Sequence, residues 1–267
     1  MKESIFKKQI WHFYAKHKRV FPWRKTINPY HILVSEVMLQ QTQTERVLPK
    51  YKEFLDKFPT LSDLEHATYE NVLRVWSGLG YNRRALYLKK IAEITNHSYL
   101  GKLPLDPKVL KTFSGIGVNT AGAIYVFSTN KPFVFIETNI RRVFIHTFFM
   151  EQEKIPDEDI LTVIKRTLDY NNPREWYYAL MDYGVYLRKV TINPNHKSKH
   201  YLKQTVFEGS RRQIRGAIIK ILLATNVVPL QELERQFTNS EYFKMAITQL
   251  EEEGFIIIKN SMVKLTP

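Results

Sequence analysis

Cysteine is absent from the 267-residue sequence, and acidic residues are scarce beside basic ones. A chain without cysteine can form no disulfide, no zinc–thiolate site and no iron–sulfur cluster held by cysteine. It also lacks any run of about 18 apolar residues, so no membrane-spanning helix is expected. The charged, amphipathic N-terminus has no apolar core of the kind found in signal peptides. These absences favour a cytoplasmic protein without membrane contact.

Basic residues are abundant, since 40 Lys and Arg against 26 Asp and Glu give a formal net charge of +14. An excess of this size predicts a polyanionic partner, and nucleic acid fits it better than a membrane surface does. The basic residues are interspersed with aromatic and aliphatic ones, which is not the pattern of a disordered basic tail. We therefore expect a folded protein that faces nucleic acid.

Helical periodicity dominates the first 190 residues. The stretch "PYHILVSEVMLQQTQTERVLPKYKEFLDKF" repeats apolar residues at intervals of three and four, as amphipathic helices do. Residues 191–209 are polar, basic and turn-rich, so we interpret them as a linker that is either solvated or laid along DNA. Residues 210–267 contain three helical segments and then two short strands around Asn260 and Ser261, which is the order of a winged helix. The prediction is an all-α domain over 1–190, a basic linker over 191–209 and a winged-helix-like module over 210–267.

The charge of the last segment differs from that of the rest of the chain. Residues 210–267 hold eight basic and six acidic side chains, which is only +2 of the total +14. Its third helical segment ends in Glu251, Glu252 and Glu253, which would repel phosphates. We favour a packing or partner role for this module, with DNA binding through "RRQIR" as the alternative.

Two glycines punctuate the stretch "FSGIGVNTAGA". Gly115 and Gly117 lie between a short helical segment and a second helix, so backbone N–H groups are exposed at a helix N-terminus. Such a hairpin binds a phosphate without reading the base attached to it. A plain Gly-x-Gly turn is the alternative, and the motif alone does not decide between them.

A pair of carboxylates is placed where base excision would need them. Glu137 follows an apolar run twenty residues after Gly117, at a helix start, and Glu36 is the one acid in the largely apolar run "ILVSEVMLQQTQ". Breaking an N-glycosidic bond needs one group to stabilise an oxocarbenium-like sugar and an acid for the leaving base. Burial would raise the pKa of Glu36 and keep it protonated. The alternatives are a helix-start acid for Glu137, which would stabilise the helix dipole, and a partnered core glutamate for Glu36.

Four motifs in order resemble the MutY-type adenine DNA glycosylases of the helix-hairpin-helix superfamily. They are "FPWRKTINPYHILVSEVMLQQTQ", "WSGLGYNRRALYL", "FSGIGVNTAGAI" and "ETNIRRV", and the match covers about residues 10 to 187. The resemblance implies an all-α, two-lobed fold that bends DNA and flips the target base into a pocket.

The same resemblance implies roles for individual residues. Glu36 would protonate the departing adenine, and Glu137 falls at the family's catalytic Asp, with Asn139 matching the Asn that follows. The expected adenine pocket consists of Arg19, Trp23 and Leu39, with Asn119 and Tyr178 at further pocket positions. The expected DNA contacts are Gln41, Thr42 and Leu79 facing the opposite-strand base, the neighbouring Gln40, the wedge Tyr81 in the base stack, Arg24 on a phosphate, and the hairpin glycines Gly115 and Gly117. For Tyr81 the alternative is helix-end packing, and for Arg24 a surface salt bridge.

Departures from the family pattern bear on activity and substrate. Glu137 replaces Asp and Thr138 replaces Gly, and a carboxylate displaced by about 1 Å can cost about a hundredfold in rate unless the backbone compensates. Asn119 occupies the position of the Schiff-base lysine of bifunctional relatives, which predicts a monofunctional enzyme, and Tyr178 replaces the usual Gln or Glu. The cysteines of the family's cluster loop are missing, with Arg188 where the first would be. The 8-oxoguanine-sensing C-terminal domain is replaced by the winged-helix-like module.

The sequence therefore predicts a base-excision-repair glycosylase that removes adenine opposite 8-oxoguanine or guanine in double-stranded DNA. We expect no iron–sulfur cluster and no catalytic metal, and from the family a structural monovalent cation at the hairpin carbonyls. A nucleoid-associated monomer is expected. The rival readings are a thymine or uracil mismatch glycosylase and a non-catalytic damage-recognition protein.

Overall fold

The computed structural model describes residues 2–203, 206–237 and 239–266. Its α-helices are α1 Glu3–His17, α2 Pro29–Leu39, α3 Thr44–Lys57, α4 Leu61–His66, α5 Tyr69–Trp76, α6 Arg83–Ser98, α7 Pro107–Leu110, α8 Val118–Thr129, α9 Thr138–Phe148, α10 Asp157–Thr167, α11 Pro173–Val190, α12 Arg211–Thr225, α13 Leu230–Arg235 and α14 Ser240–Glu252. Short 3-10 helices span Pro22–Arg24 and Pro194–Lys197, and the strands are β1 Val227–Pro229, β2 Ile256–Lys259 and β3 Met262–Leu265.

The chain forms two compact units. Unit 1 comprises Met1–Glu36 and Pro104–Lys203, and unit 2 comprises Val37–Leu103 and Gln204–Pro267. Among the described residues, no helix combines the length and apolar character needed to cross a membrane.

The core of unit 1 is built from α1, α9 and α11. Phe6 meets Phe144 and Trp176 edge-on, with ring centroids 5.4 and 5.9 Å apart, an arrangement that aromatic quadrupoles favour. All three side chains are buried. This packing fixes α9, the helix that follows Glu137, against the rest of the unit.

The apolar run before α9 is held by Tyr177 of α11. The Phe135 ring stacks on Tyr177 with centroids 4.0 Å apart. The Tyr177 hydroxyl donates to the Phe133 carbonyl at 2.9 Å and accepts from the Phe135 N–H at 3.3 Å. Because one buried side chain binds this extended segment at two points, the approach to Glu137 is rigidly defined.

Residues 191–203, which composition assigned to a linker, are part of unit 1. Asn195 and Ser198 are buried there, and Asn195 donates from Nδ2 to the Thr138 carbonyl at 3.0 Å. Ser198 also pairs with Ile155 in a parallel bridge. The polar side chains that gave this stretch its linker-like composition thus serve as hydrogen-bonding groups beside the start of α9.

In unit 2, the C-terminal residues have the predicted order of helices and hairpin. Asn260 and Ser261, at φ of +52° and +60°, form the turn between β2 and β3, since positive φ at both central residues suits a hairpin. The three-stranded antiparallel sheet has the order β1-β3-β2. Strand β1, of three residues, was not predicted because it is too short to show alternation. The predicted mainly helical fold with a winged-helix-like end is confirmed.

Candidate active site

Glu137 is the N-terminal cap of α9. Its Oε1 accepts hydrogen bonds from the backbone N–H groups of Asn139 and Ile140, both at 2.8 Å, and its Oε2 accepts from Asn139 Nδ2 at 3.1 Å. Burial raises the pKa of Glu137, while these bonds and the nearby Arg142 oppose the rise. A half-buried carboxylate supported in this way is held in one orientation and can carry a negative charge.

Asn139 is itself held by a buried arginine. Arg142 donates from Nη1 to Asn139 Oδ1 at 2.7 Å and to the Gly184 carbonyl at 2.9 Å, and from Nε to Asn193 Oδ1 at 3.3 Å. Arg142 is 4% exposed, and burial lowers its pKa while Glu137 opposes the fall. A continuous hydrogen-bonded chain therefore runs from the carboxylate of Glu137 into the helix α11.

Glu36 lies near the end of α2 and in the same unit as Glu137. The pKa of Glu36 is raised to about 8, chiefly by burial and also by the negative charge of Glu137, while Arg24 opposes the rise. At neutral pH the side chain is therefore mainly protonated. The two carboxyl groups have different surroundings, because Glu137 accepts backbone hydrogen bonds whereas burial dominates the pKa of Glu36. Such a difference separates an acid from an anion.

Two predicted residues, Arg19 and Arg24, converge on Asp182 of α11. Arg24 binds both carboxylate oxygens of Asp182 at 2.9 Å, and Arg19 binds them through its backbone N–H at 3.0 Å and its Nε at 2.7 Å. The Arg24 side chain is only 6% exposed. The predicted contact of Arg24 with a phosphate does not fit this arrangement, because its guanidinium is enclosed in a bidentate ion pair with Asp182.

Aromatic rings cover this ion pair. The Arg24 guanidinium lies 4.5 Å from the ring centre of Tyr178, and Tyr178 stacks on Phe127 at 4.5 Å. Burial raises the pKa of Tyr178, as does the negative charge of Glu36. Trp23 is buried and stacks on Phe21 with centroids 4.9 Å apart and planes 8° from parallel. The ring centre of Phe21 lies 5.2 Å from the guanidinium carbons of Arg19 and Arg24, so Tyr178 and Phe21 pack on the ion pair and Trp23 packs on Phe21.

Asn119, in the first turn of α8, binds the segment that leads to Glu137. Its Oδ1 accepts from the Ile136 backbone N–H at 3.2 Å. The amide thus anchors the residue immediately before the carboxylate. This is a positioning contact that the sequence motif did not reveal.

The glycine hairpin has the expected local form. Gly115 has φ of +80°, in the region that favours glycine, and Gly117 is the N-cap of α8. A side chain at Gly117 would meet no atom within 4 Å, and both glycines are exposed. The first turn of a helix offers N–H groups without partners inside the helix, and here it follows an open turn.

The remaining predicted DNA contacts belong to unit 2 and are assembled by Arg84. This arginine is 5% exposed and joins the end of α2 to the turn before α6. It donates to the carbonyl oxygens of Val37, Met38, Gln40, Leu79 and Gly80 and to the hydroxyl of Thr42. Burial lowers the pKa of Arg84 to about 10, and the tyrosine at 81 opposes the fall. The segments that hold Leu39, Gln40, Gln41, Thr42, Leu79 and Tyr81 are thereby linked through one side chain.

Tyr81 is 39% exposed and has φ of +48°. A bulky residue in this region is uncommon and is held by its surroundings. Arg84 lies 5.6 Å from the ring centre, and its Nε donates to the Tyr81 carbonyl at 3.4 Å. The ring is thus partly exposed on a fixed backbone, which suits a wedge.

Sequence reasoning missed the buried charged residues that hold the predicted site residues in place, namely Arg84, Arg142 and Asp182. Asp182 had a detectable signal, because it is a single acid in the apolar helical stretch "YYALMDYGVYL", the pattern that drew attention to Glu36. The arginines had none, since each belongs to an "RR" pair whose more exposed member looks the same in sequence. Among the described residues, no group of three or more His, Asp or Glu is arranged to hold a metal ion.

Comparison with a family model and with curated proteins finds similar sequences. Residues 34–165 match the HhH-GPD superfamily base excision DNA repair protein. The chain is 31% identical over 219 residues to the adenine DNA glycosylase of Buchnera aphidicola subsp. Baizongia pistaciae, covering 78% of this chain and 62% of that protein. It is 38% identical over 132 residues to the adenine DNA glycosylase of Mycobacterium tuberculosis, covering 49% and 43%. The chain thus spans less than two thirds of the length of these relatives.

Solved structures share the fold. A thermostable thymine-DNA glycosylase matches with a TM-score of 0.61 at 23% identity, over 68% of this chain and 85% of that one. Endonuclease III, trapped as a covalent intermediate with DNA, matches with a TM-score of 0.60 at 16% identity, over 70% and 87%. The resemblance and the fold class inferred from the sequence are both confirmed.

Proposed function

We propose that this chain, whose residues 34–165 match the HhH-GPD superfamily of base excision DNA repair proteins, is a monofunctional adenine DNA glycosylase. It would hydrolyse the N-glycosidic bond of a flipped adenine mispaired with 8-oxoguanine or guanine in double-stranded DNA. The observation that carries the proposal is the pair of unlike carboxyl groups, Glu36 with a pKa near 8 and Glu137 at the start of α9.

Glu36 supplies the proton. At neutral pH it is mainly protonated, and an acid whose pKa lies near the working pH is well matched to general acid catalysis. Its proton passes to a ring nitrogen of adenine as the bond from the sugar to the base breaks and its electron pair leaves with the base. Adenine departs neutral, and Glu36 is left as a carboxylate.

Glu137 serves the sugar. Its carboxylate stabilises the positive charge that develops as the base leaves and then accepts the proton of the water that adds to the anomeric carbon. The bonds from Asn139 and Ile140 support its ionised form without consuming both oxygens' capacity. Loss of a proton by Glu137 and its uptake by Glu36 restore the starting state, and the products are adenine and an abasic site.

The remaining predicted residues have proposed parts in binding. Arg19, Trp23 and Tyr178 of unit 1 would contact the flipped base, Asn119 would hold the backbone before Glu137, and the turn at Gly115 and Gly117 would bind a phosphate. For Leu39, a contact with the base is proposed from the sequence motif alone. Gln40, Gln41, Thr42 and Leu79 would face the opposite strand, with Tyr81 as the wedge. An asparagine at 119, in place of an amine nucleophile, supports hydrolysis without strand cleavage.

The test is single-turnover base release from four duplexes that carry A opposite 8-oxoguanine, A opposite guanine, T opposite guanine and U opposite guanine. Wild type is compared with Glu36→Gln and Glu137→Gln, and with Glu70→Gln on the exposed face of α5 as a matched control for loss of one carboxylate. The proposal expects adenine release that is lost in both site variants by at least about a hundredfold and is unchanged in the control.

Other outcomes would separate the rival functions. Release of only thymine or uracil would replace the substrate and keep the two-carboxylate mechanism. Salt-dependent DNA binding without any base release would identify a non-catalytic recognition protein. Strand cleavage concurrent with base release would contradict the monofunctional assignment.

A further inference from the structure

The C-terminal module of residues 210–267 contacts the turn that carries the wedge tyrosine. Arg212 on α12 donates from Nη1 to the Tyr81 hydroxyl at 2.8 Å, and its guanidinium carbon lies 5.9 Å from the ring centre. Both residues belong to unit 2. A cationic donor bound to a hydroxyl and facing the same ring restricts how that ring can rotate.

A second contact joins the module to Arg83, two residues after the wedge tyrosine. Glu253, which caps the end of α14, accepts hydrogen bonds from Arg83 at the start of α6 and from Arg215 on α12. The carboxylate is 17% exposed, as is the side chain of Arg215. Burial alone would raise the pKa of Glu253, but the bonds from the two arginines hold it below its usual range. A partly buried carboxylate shared by two guanidinium groups is a stronger link than an isolated surface pair.

The wedge turn needs such support. Gly78, Gly80 and Tyr81 all have positive φ, and at Tyr81 this conformation costs energy that the surroundings must supply. Arg84 fixes the backbone of the turn from within. Arg212 is the module's contact to the hydroxyl end of the same side chain.

We propose that the C-terminal module braces the wedge, with Arg212 as a positioning residue that holds Tyr81 in the orientation from which it enters the base stack. The inference rests on the proposed function, because that function assigns Tyr81 its role as wedge. On this proposal, the packing of the module against Tyr81 affects how the DNA is distorted. The module itself makes no contact with a base.

The test is a double-mutant cycle in the full-length chain with Arg212→Ala, Tyr81→Phe and the two combined. Tyr81→Phe removes the hydroxyl and keeps the ring. Unstacking is measured by the fluorescence of 2-aminopurine placed beside an A opposite 8-oxoguanine, in a Glu36→Gln background so that base release does not interfere. Each single change should lower the unstacking equilibrium by about three- to tenfold, the usual net effect of one partly exposed hydrogen bond. The double variant should be no worse than the poorer single variant within about twofold.

Controls separate bracing from general electrostatics and from folding. Arg211→Ala removes the same charge from the neighbouring, exposed position of α12 and should leave unstacking unchanged. Arg212→Lys keeps the charge and gives a folded comparison if Arg212→Ala unfolds. It should reduce unstacking nearly as much as Arg212→Ala does, because lysine lacks the planar guanidinium. The proposal would be overturned if the losses of unstacking in the two single variants multiplied in the double variant. An equal loss of unstacking in Arg211→Ala would also overturn it.

The two proposals fail separately. If wild type releases no base, but Arg212→Ala and Tyr81→Phe still reduce unstacking in a coupled way, the brace is kept and the glycosylase assignment is removed. Normal base release by wild type with unstacking that is indifferent to Arg212 would keep the glycosylase and remove the brace.

Discussion

Gly184 lies so close to Asn139 that a Cβ at position 184 would be 2.3 Å from the Asn139 carbonyl oxygen. No real structure accommodates that distance, so α11 and the first turn of α9 can approach as they do only with glycine there. Since Asn139 donates two hydrogen bonds to Glu137, this glycine controls the position of the proposed catalytic carboxylate.

We expect Gly184→Ala to displace the first turn of α9 and to lower the rate of base release by about a hundredfold, the cost of misplacing a reacting group by about 1 Å. Gly216→Ala is the matched control, since Gly216 is also inside a helix but would meet nothing within 4 Å. Alanine there should preserve the rate and stabilise the protein by up to about 1 kcal/mol. Single-turnover rates and thermal unfolding measure both effects, and an active Gly184→Ala enzyme would contradict the positioning role.

The rate of base release should depend on pH through Glu36. Only its protonated form donates, and its pKa is about 8, so the second-order rate should fall about tenfold per unit above that value. The rate should also fall at low pH, where Glu137, whose pKa is raised by burial, becomes protonated. Because Glu36 and Glu137 interact, the midpoint belongs to the pair. A rate that rises between pH 7 and 9 would exclude Glu36 as the acid.

The free energy of unfolding should decrease as Glu36 ionises with rising pH. The folded state raises the pKa of Glu36 from 4.5 to about 8, so it binds the proton more tightly than the unfolded chain, and stability decreases as pH rises through this window. Glu36→Gln removes that penalty. Its stability relative to wild type should increase between pH 5 and 8 by on the order of a few kcal/mol. Denaturant unfolding at the two pH values tests this, and a difference independent of pH would refute it.

Asp182→Asn should strongly destabilise unit 1. The change removes the carboxylate that neutralises Arg19 and Arg24, and Arg24 is almost completely enclosed. Breaking a buried ion pair from one side costs about 3–5 kcal/mol. Glu70→Gln, which breaks an exposed pair with Arg74, should cost less than about 1 kcal/mol. Urea unfolding of both variants gives the comparison, and equal losses would argue against a structural role for Asp182.

Arg84→Lys should loosen the end of α2 and the wedge turn together. Lysine keeps the charge but lacks the fork that reaches both segments, so several backbone carbonyls lose their donor. We expect weaker discrimination between matched and mismatched duplexes, measured by competitive binding. Arg74→Lys on the exposed face of α5 is the control and should bind as wild type does. Unchanged discrimination in Arg84→Lys would mean that the segments are held by other contacts.

The sequence by itself determined the helical class and the winged-helix-like order of the C-terminal segment, and it singled out Glu36 and Glu137 as candidate catalytic residues. Local chemistry suffices for these, because periodicity, glycine turns and a lone acid in an apolar run are visible within a few residues of one another. It could not distinguish Arg84 from Arg83 or Arg142 from Arg141. Neighbouring residues of one type look alike in sequence. Only the folded structure buries one of them, where it makes several hydrogen bonds, and leaves the other more exposed.

Tertiary structure alone decided the partners. Asp182 encloses Arg24 and removes it from the candidate phosphate contacts, Gly184 permits the close approach to Asn139, and Arg212 reaches Tyr81 from 131 positions along the chain. The pKa of Glu36 likewise depends on the charge of Glu137, a hundred residues away in sequence. Burial and charge pairing are properties of three-dimensional neighbours, so they emerge only when the chain has folded.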